Sequence, residues 1–179
     1  AGTSILRSTF IGTAGYDQSY FIQLDKFGNV FIYGQSNGGY PITAGVYSNP
    51  GSGQFIHKMN PTLTATFFST VFGTGKGTAD IAPSAFLVDN CENIYISGWG
   101  GTLFGYNVAT STTAGLPVSG TPFQSTTDGS DFYFLILSKN AASLLYATFM
   151  GGPMSQEHVD GGTSRFDKTG VVYQAICEG

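Results

Sequence analysis

Two histidines are available for chemistry, and one of them, His158, stands among carboxylates in Glu157-His158-Val159-Asp160-Gly161-Gly162. An imidazole beside carboxylates can ligate a metal ion or relay a proton. Adjacent residues of an extended segment point to opposite sides, however, and no second histidine completes a zinc-like set, so a loop-capping role is the simpler reading. A second oxygen-rich group, Asp128-Gly129-Ser130-Asp131, resembles a piece of a calcium loop, because hard cations want several carboxylate and carbonyl oxygens. It lacks the remaining ligands of an EF-hand and also reads as a plain turn, yet Asp128 and Asp131 are the best metal candidates, with calcium as the ion. Trp99, in Gly98-Trp99-Gly100-Gly101, is followed by Phe104 and Tyr106; flat rings among glycines are platforms on which sugars stack, and these three are the candidate ligand contacts. The competing role for such dense aromatics is core packing. Asp25, Asp89 and Asp167 recur at one position of a repeat, either as a ring of ion sites or as turn aspartates accepting backbone N–H groups, the latter being the simpler cause. Thr62, Thr64 and Thr66 alternate as on ice-binding faces, but threonine is also an ordinary exposed strand residue. No Gly-x-Ser-x-Gly elbow, Gly-Lys-Ser/Thr phosphate loop or Cys-x-x-Cys pair is present, so no catalytic residue is assigned.

The elements that would hold these residues follow from composition. Only 10% of the 179 residues are charged, while 26 Gly, 15 Phe and 10 Tyr, with abundant Ser and Thr, give strands joined by tight turns. The net charge of −4 and scattered Lys and Arg argue against nucleic acid, which needs clustered cations. No run approaches the roughly 18 apolar residues of a membrane span, and Ala1 to Phe10 lacks the pattern of a signal peptide. Cys91 and Cys177 permit one disulfide at most, and Asn60-Pro61-Thr62 is disqualified as a glycan acceptor by its proline.

Internal repetition organises the chain. Ser8-Thr9-Phe10-Ile11-Gly12-Thr13 returns as Ser69-Thr70-Val71-Phe72-Gly73-Thr74 and as Ala147-Thr148-Phe149-Met150-Gly151-Gly152. The stretch from Phe21 to Gly34, with its Asp25-Lys26-Phe27-Gly28-Asn29 hairpin, matches Ala85 to Gly98 and Thr163 to Ile176. A third hallmark aligns Phe55-Ile56-His57-Lys58-Met59-Asn60 with Phe132-Tyr133-Phe134-Leu135-Ile136-Leu137. Gly34 to Phe55 is 21 positions and Gly98 to Phe132 is 34, so residues 100–130 carry an insertion of 13, on a face where repeat proteins often bind. The expected units are 8–68, 69–146 and an incomplete 147–179, all within one repeat-containing region of a larger protein. Period-two alternation predicts four strands per unit, in the first Tyr20–Asp25, Val30–Gln35, Phe55–Asn60 and Ala65–Phe72. Helix is expected to be scarce, with Asn140–Leu145 at best a single turn. The fold expected is all-β: propeller-type blades of four antiparallel strands, about two and a half of them, short of the roughly four to eight that close a ring. Open sheet edges then need partners, in the rest of the polypeptide or in neighbouring copies.

The string STFIGTAGYDQSYFIQLDKFGNVFIYGQSNGGYPITAGVYSNPGSGQFIHKMNP resembles the SBBP repeat, a seven-bladed β-propeller family. The third family element returns as Tyr40-Pro41-Ile42-Thr43-Ala44-Gly45-Val46-Tyr47 and as Leu116-Pro117-Val118-Ser119-Gly120-Thr121-Pro122-Phe123. The likeness covers nearly the whole chain and departs from the pattern at Glu92, where glycine is usual. The insertion and the 157–162 segment are similar to a subset in large secreted surface proteins of gliding, type IX-secreting bacteria. The resemblance implies an extracellular or cell-surface location and a non-catalytic scaffold or adhesion role, with glycan or protein contact through inserted loops, and brings no catalytic residues. The alternatives are part of a propeller glycosidase or polysaccharide lyase, with Glu157 and Asp160 as the carboxylates to test, and a subunit of an extracellular filament.

Overall fold

A computed structural model describes residues 2–37, 39–101, 111–159, 164–175 and 177–178. The alternating apolar segments form two four-stranded antiparallel sheets, each a simple meander. The first contains β1 (Asp17–Leu24), β2 (Val30–Ser36), β3 (Gln54–Met59) and β4 (Thr66–Phe72), in that order. The second contains β5 (Ala82–Val88), β6 (Ile94–Trp99), β7 (Phe132–Leu137) and β8 (Leu144–Met150). Two short antiparallel pairs follow, β9 (Glu157–His158) with β12 (Cys177–Glu178) and β10 (Ser164–Phe166) with β11 (Val172–Gln174). The protein is therefore all-β, built of blade-like sheets that do not close into a ring. The only helical element among the described residues is one 3-10 turn, Lys139–Ala141, at the place where the sequence predicts a single turn. No helix there is long and apolar enough to cross a membrane.

Each sheet starts with the same hairpin for the same reason. Asp25 Oδ1 accepts the backbone N–H groups of Phe27 and Asn29, both at 2.9 Å, and Asp89 and Asp167 do the same for Cys91 and Asn93 and for Thr169 and Val171. The repeated aspartates are thus turn residues. The fourth position of each turn is left-handed, with φ of 79° at Gly28, 65° at Glu92 and 87° at Gly170. Glycine takes that conformation freely, whereas Glu92 adopts it against a steric cost.

Register corrects one sequence alignment. Gly34 pairs with Phe55, and its counterpart Gly98 pairs with Tyr133, so Phe55 corresponds to Tyr133 and the Phe132 alignment is one residue out of step. The insertion between β6 and β7 is accordingly one residue longer than the sequence count. Two adjacent aromatics, Phe132 and Tyr133, both satisfy the hydrophobic pattern, and only hydrogen-bond pairing chooses between them.

The core lies between the sheets. Phe31, Tyr33, Ile56, Phe68 and Phe72 of the first pack on Phe86, Ile96, Tyr133, Leu135 and Phe149 of the second. Tyr33 is central, its ring 5.8 Å from Phe72 and 5.7 Å from Phe86. Each such ring stabilises the fold by about 1.5–3 kcal/mol relative to exposure, so this interface fixes the sheets face to face. Side-chain amides cross it as well: Gln23 donates to Phe86 O and accepts from Val88 N, and Gln35 and Gln54 both donate to Ile81 O.

Candidate functional site

Lys58 sits in the middle of an apolar strand, β3, with its side chain on the face that meets the second sheet. A buried ammonium needs compensation, and the two hairpin turns supply it. Lys58 Nζ lies 3.3 Å from Asp25 Oδ2 and 3.0 Å from Glu92 Oε2, with all three side chains at most 5% exposed. It also stands 4.7 Å above the Phe31 ring, a cation–π contact. Glu92 Oε1 takes a second lysine, Lys139, at 2.7 Å, and Asn140 Oδ1 receives Lys58 at 3.3 Å. Lys139 first and Lys58 second hold the Glu92 carboxyl below its ordinary range. Burial alone would raise Asp25, but hydrogen bonds from Asn29, Phe27 and Lys58 outweigh it and keep that carboxyl low as well. The strained backbone at Glu92 is thereby offset by two lysine contacts that glycine could not make.

This network forms the floor of a cleft of about 520 Å³ at the junction of the sheets. Its walls are the 43–46 loop, the 139–142 turn and the rings of Phe27 and Phe67, which remain 62% and 54% exposed. Tyr47 N bonds Ala141 O at 2.7 Å, tying the loop of one sheet to the turn of the other. Asn140 and Ala141, like Glu92, have positive φ, at 55° and 52°, so three of the four non-glycine residues in that conformation among the described residues cluster at this cleft. Such strain persists where surroundings over-determine it, a pattern common at ligand clamps. The four charged groups sum to zero, and with two exposed rings beside them the cleft combines donors, acceptors and apolar faces.

The sequence-derived candidates fall elsewhere. Trp99 ends β6, half-buried, its ring 6.1 Å from that of His158. Phe104 and Tyr106 lie outside the described residues, as does Asp160. The base of the inserted loop is a bridge between Gly101 and Ser111. Asp128 is exposed and spends its carboxylate on Ser130 N at 2.8 Å, an Asx turn. Asp131 turns inward and is fully buried, its carboxylate close to that of Glu157 beside Gly151. Cys91 is an exposed free thiol. Among the described residues no three His, Cys, Asp or Glu side chains converge as a metal cluster.

Sequence reading missed the Lys58 cleft, although a lysine inside Phe55-Ile56-His57-Lys58-Met59 and the glutamate at a glycine position were both visible signals. Against known proteins, the chain matches no family model and no curated protein.

Proposed function

We propose that this chain is a non-catalytic binding module of an extracellular surface protein built from SBBP-type blades, and that the cleft between its first two sheets takes a neutral saccharide. The observation that carries this is the cleft itself: a polar floor of Lys58, Glu92, Lys139 and Asn140, neutral once the buried Asp25 carboxylate beneath Lys58 is counted, between the exposed rings of Phe27 and Phe67. A sugar offers C–H faces to aromatic rings and hydroxyls that both donate and accept, and a floor with ammonium, carboxylate and amide groups matches both. Zero net charge favours an uncharged ring over a uronate or phosphate. Glycoside hydrolysis would need a free pair of carboxyl groups, one of them kept protonated by a raised pKa. Asp25 and Glu92 are instead both engaged by Lys58 and held ionised, which supports binding without turnover.

Titration calorimetry against a panel of neutral oligosaccharides tests the reading. Binding by the unmodified chain, weakened at least tenfold in a Phe27→Ala, Phe67→Ala double variant with unchanged melting temperature, is the expected result. Absence of binding across the panel, or binding indifferent to both rings, overturns it.

A further inference from the structure

Each stretch leading into a sheet carries an acidic residue that ties back the chain just before it. Asp17 Oδ2 accepts the backbone N–H and the hydroxyl of Thr13. Asp80 accepts the same two groups of Thr74, one on each carboxylate oxygen, at 2.7 and 2.5 Å. At the third junction the pattern changes in two ways at once. Gly152 replaces the threonine, so Glu157 Oε1 takes Gly152 N at 2.6 Å and the Ser155 hydroxyl, while Oε2 has no hydrogen-bond partner. Across from it Asp131 occupies the place that Gly53 holds in the first sheet, the two being matched by equivalent bonds, Ser36 N to Gly53 O and Gly100 N to Asp131 O. Asp131 Oδ2 receives Gln124 Nε2 at 3.3 Å, and Oδ1 is likewise without a partner.

The two bare oxygens belong to side chains that are buried, with Asp131 at 0% and Glu157 at 4% exposure. Both crowd the point at which a side chain on Gly151 would begin, 1.9 Å from it for Asp131 Oδ1 and 2.8 Å for Glu157 Oε2. They are therefore at most about 5 Å apart, a gap that a calcium ion with bonds of roughly 2.3–2.6 Å spans. Among the described residues no Lys or Arg ion pair reaches either carboxylate; the three such pairs all belong to the Lys58 network. Two buried negative groups without a counter-charge are costly, and a cation is the compensation their geometry accommodates. We propose that Asp131 and Glu157 form the anionic core of a binding site for a hard divalent cation of the calcium class, which pins β9 to the end of β7. Main-chain carbonyls and water complete the coordination such an ion requires.

The test uses the whole chain, stripped with chelator and titrated with calcium chloride, read by thermal unfolding and by displacement of luminescent terbium. At a hundredfold excess over the dissociation constant the melting temperature is expected to rise by about 5 °C. Asp131→Asn and Glu157→Gln, which keep shape and remove charge, are each expected to weaken calcium at least tenfold, whereas Asp128→Asn, whose carboxylate is exposed and caps its own turn, has a smaller effect. Calcium without effect on the unmodified chain, with stability rising instead as pH falls from 8 to 5, would mean that the two carboxyls share a proton and overturns the proposal. So does a calcium response that survives in both charge-removed variants, which would place the ion elsewhere. Because the unmodified chain gives a readout by itself, the proposal stays falsifiable even if a variant fails to fold.

Discussion

The consequential residue is Lys58, because it is charged, buried and shared between two turns of different sheets. Substituting Lys58→Met keeps the volume and removes the cation, leaving Asp25 with only its turn hydrogen bonds and Glu92 with Lys139 alone. Breaking a buried pair from one side costs about 3 kcal/mol, and urea unfolding at pH 7 should show a loss of that order. Glu92→Gly should cost less, since relief of the left-handed backbone returns about 1 kcal/mol while the lysine contacts are lost. The pH dependence has a definite sign. Both carboxyls are held below their ordinary values in the folded state, so their contribution is complete above about pH 4, the unfolded value, and is lost as pH falls through the lower folded values. The stability gap between the unmodified chain and Lys58→Met should therefore narrow as pH is lowered from 5 to 3. A gap that stays constant would show that Lys58 acts through packing against Phe31 and not through charge.

At the scale of strands and turns, much was legible because the signals are local. Alternation, the recurring turn aspartates and the recurrence of Thr-x-x-Gly place the strands, and β2, β3 and β4 fall within a residue or two of the positions read from sequence. What stayed hidden depends on pairing across distance. The tie at each junction was concealed by variable spacing, five residues from Gly12 to Asp17, seven from Gly73 to Asp80 and six from Gly151 to Glu157. Only coordinates show that the three acids hold equivalent places. The same holds for Asp128 and Asp131, neighbours in sequence whose side chains part company because one ends an exposed turn and the other begins a buried strand. Gly34 and Gly98 are a related case, as each faces an irregularity in the adjacent first strand, between Ser19 and Phe21 and between Pro83 and Ala85. A Cβ on Gly34 would lie 2.2 Å from Gln18 O, a backbone atom, whereas on Gly98 it would meet the end of Ile81 at 2.7 Å and the main-chain Ala82 O at 2.8 Å. Gly34→Ala should thus destabilise by about 2–3 kcal/mol and Gly98→Ala by less, measured by denaturant unfolding, since the main chain approaches Gly34 more closely than Gly98. Equal costs would show that the bulges, and not the contacts, set the price.

Considered whole, the molecule uses one kind of interface and leaves both of its halves on display. The face of the first sheet that carries Phe31, Ile56 and Phe72 meets the face of the second that carries Phe86, Leu135 and Phe149. Outward from this core the same two surface types recur in reverse. The back of β1 presents Ile22 and Leu24, 67% and 63% exposed, and these are the counterparts of Phe86 and Val88. The back of the second sheet presents an apolar groove of about 260 Å³ lined by Phe134, Ile136, Tyr146 and Met150, covered on one side by the β10–β11 hairpin through Phe166. Two complementary apolar faces pointing in opposite directions permit head-to-tail stacking, an open interface that repeats. Self-association that grows with protein concentration is therefore expected in sedimentation velocity, and Ile22→Lys with Leu24→Lys should suppress it. Because both side chains are mostly solvent-exposed and lie on the face of β1 opposite the one that meets the second sheet, the double variant should lose little stability and retain oligosaccharide binding. A chain that stays monomeric at high concentration with Ile22 and Leu24 in place would show that the exposed face is too small or too strongly twisted to mate, and would leave the cleft, not stacking, as its means of engaging other molecules.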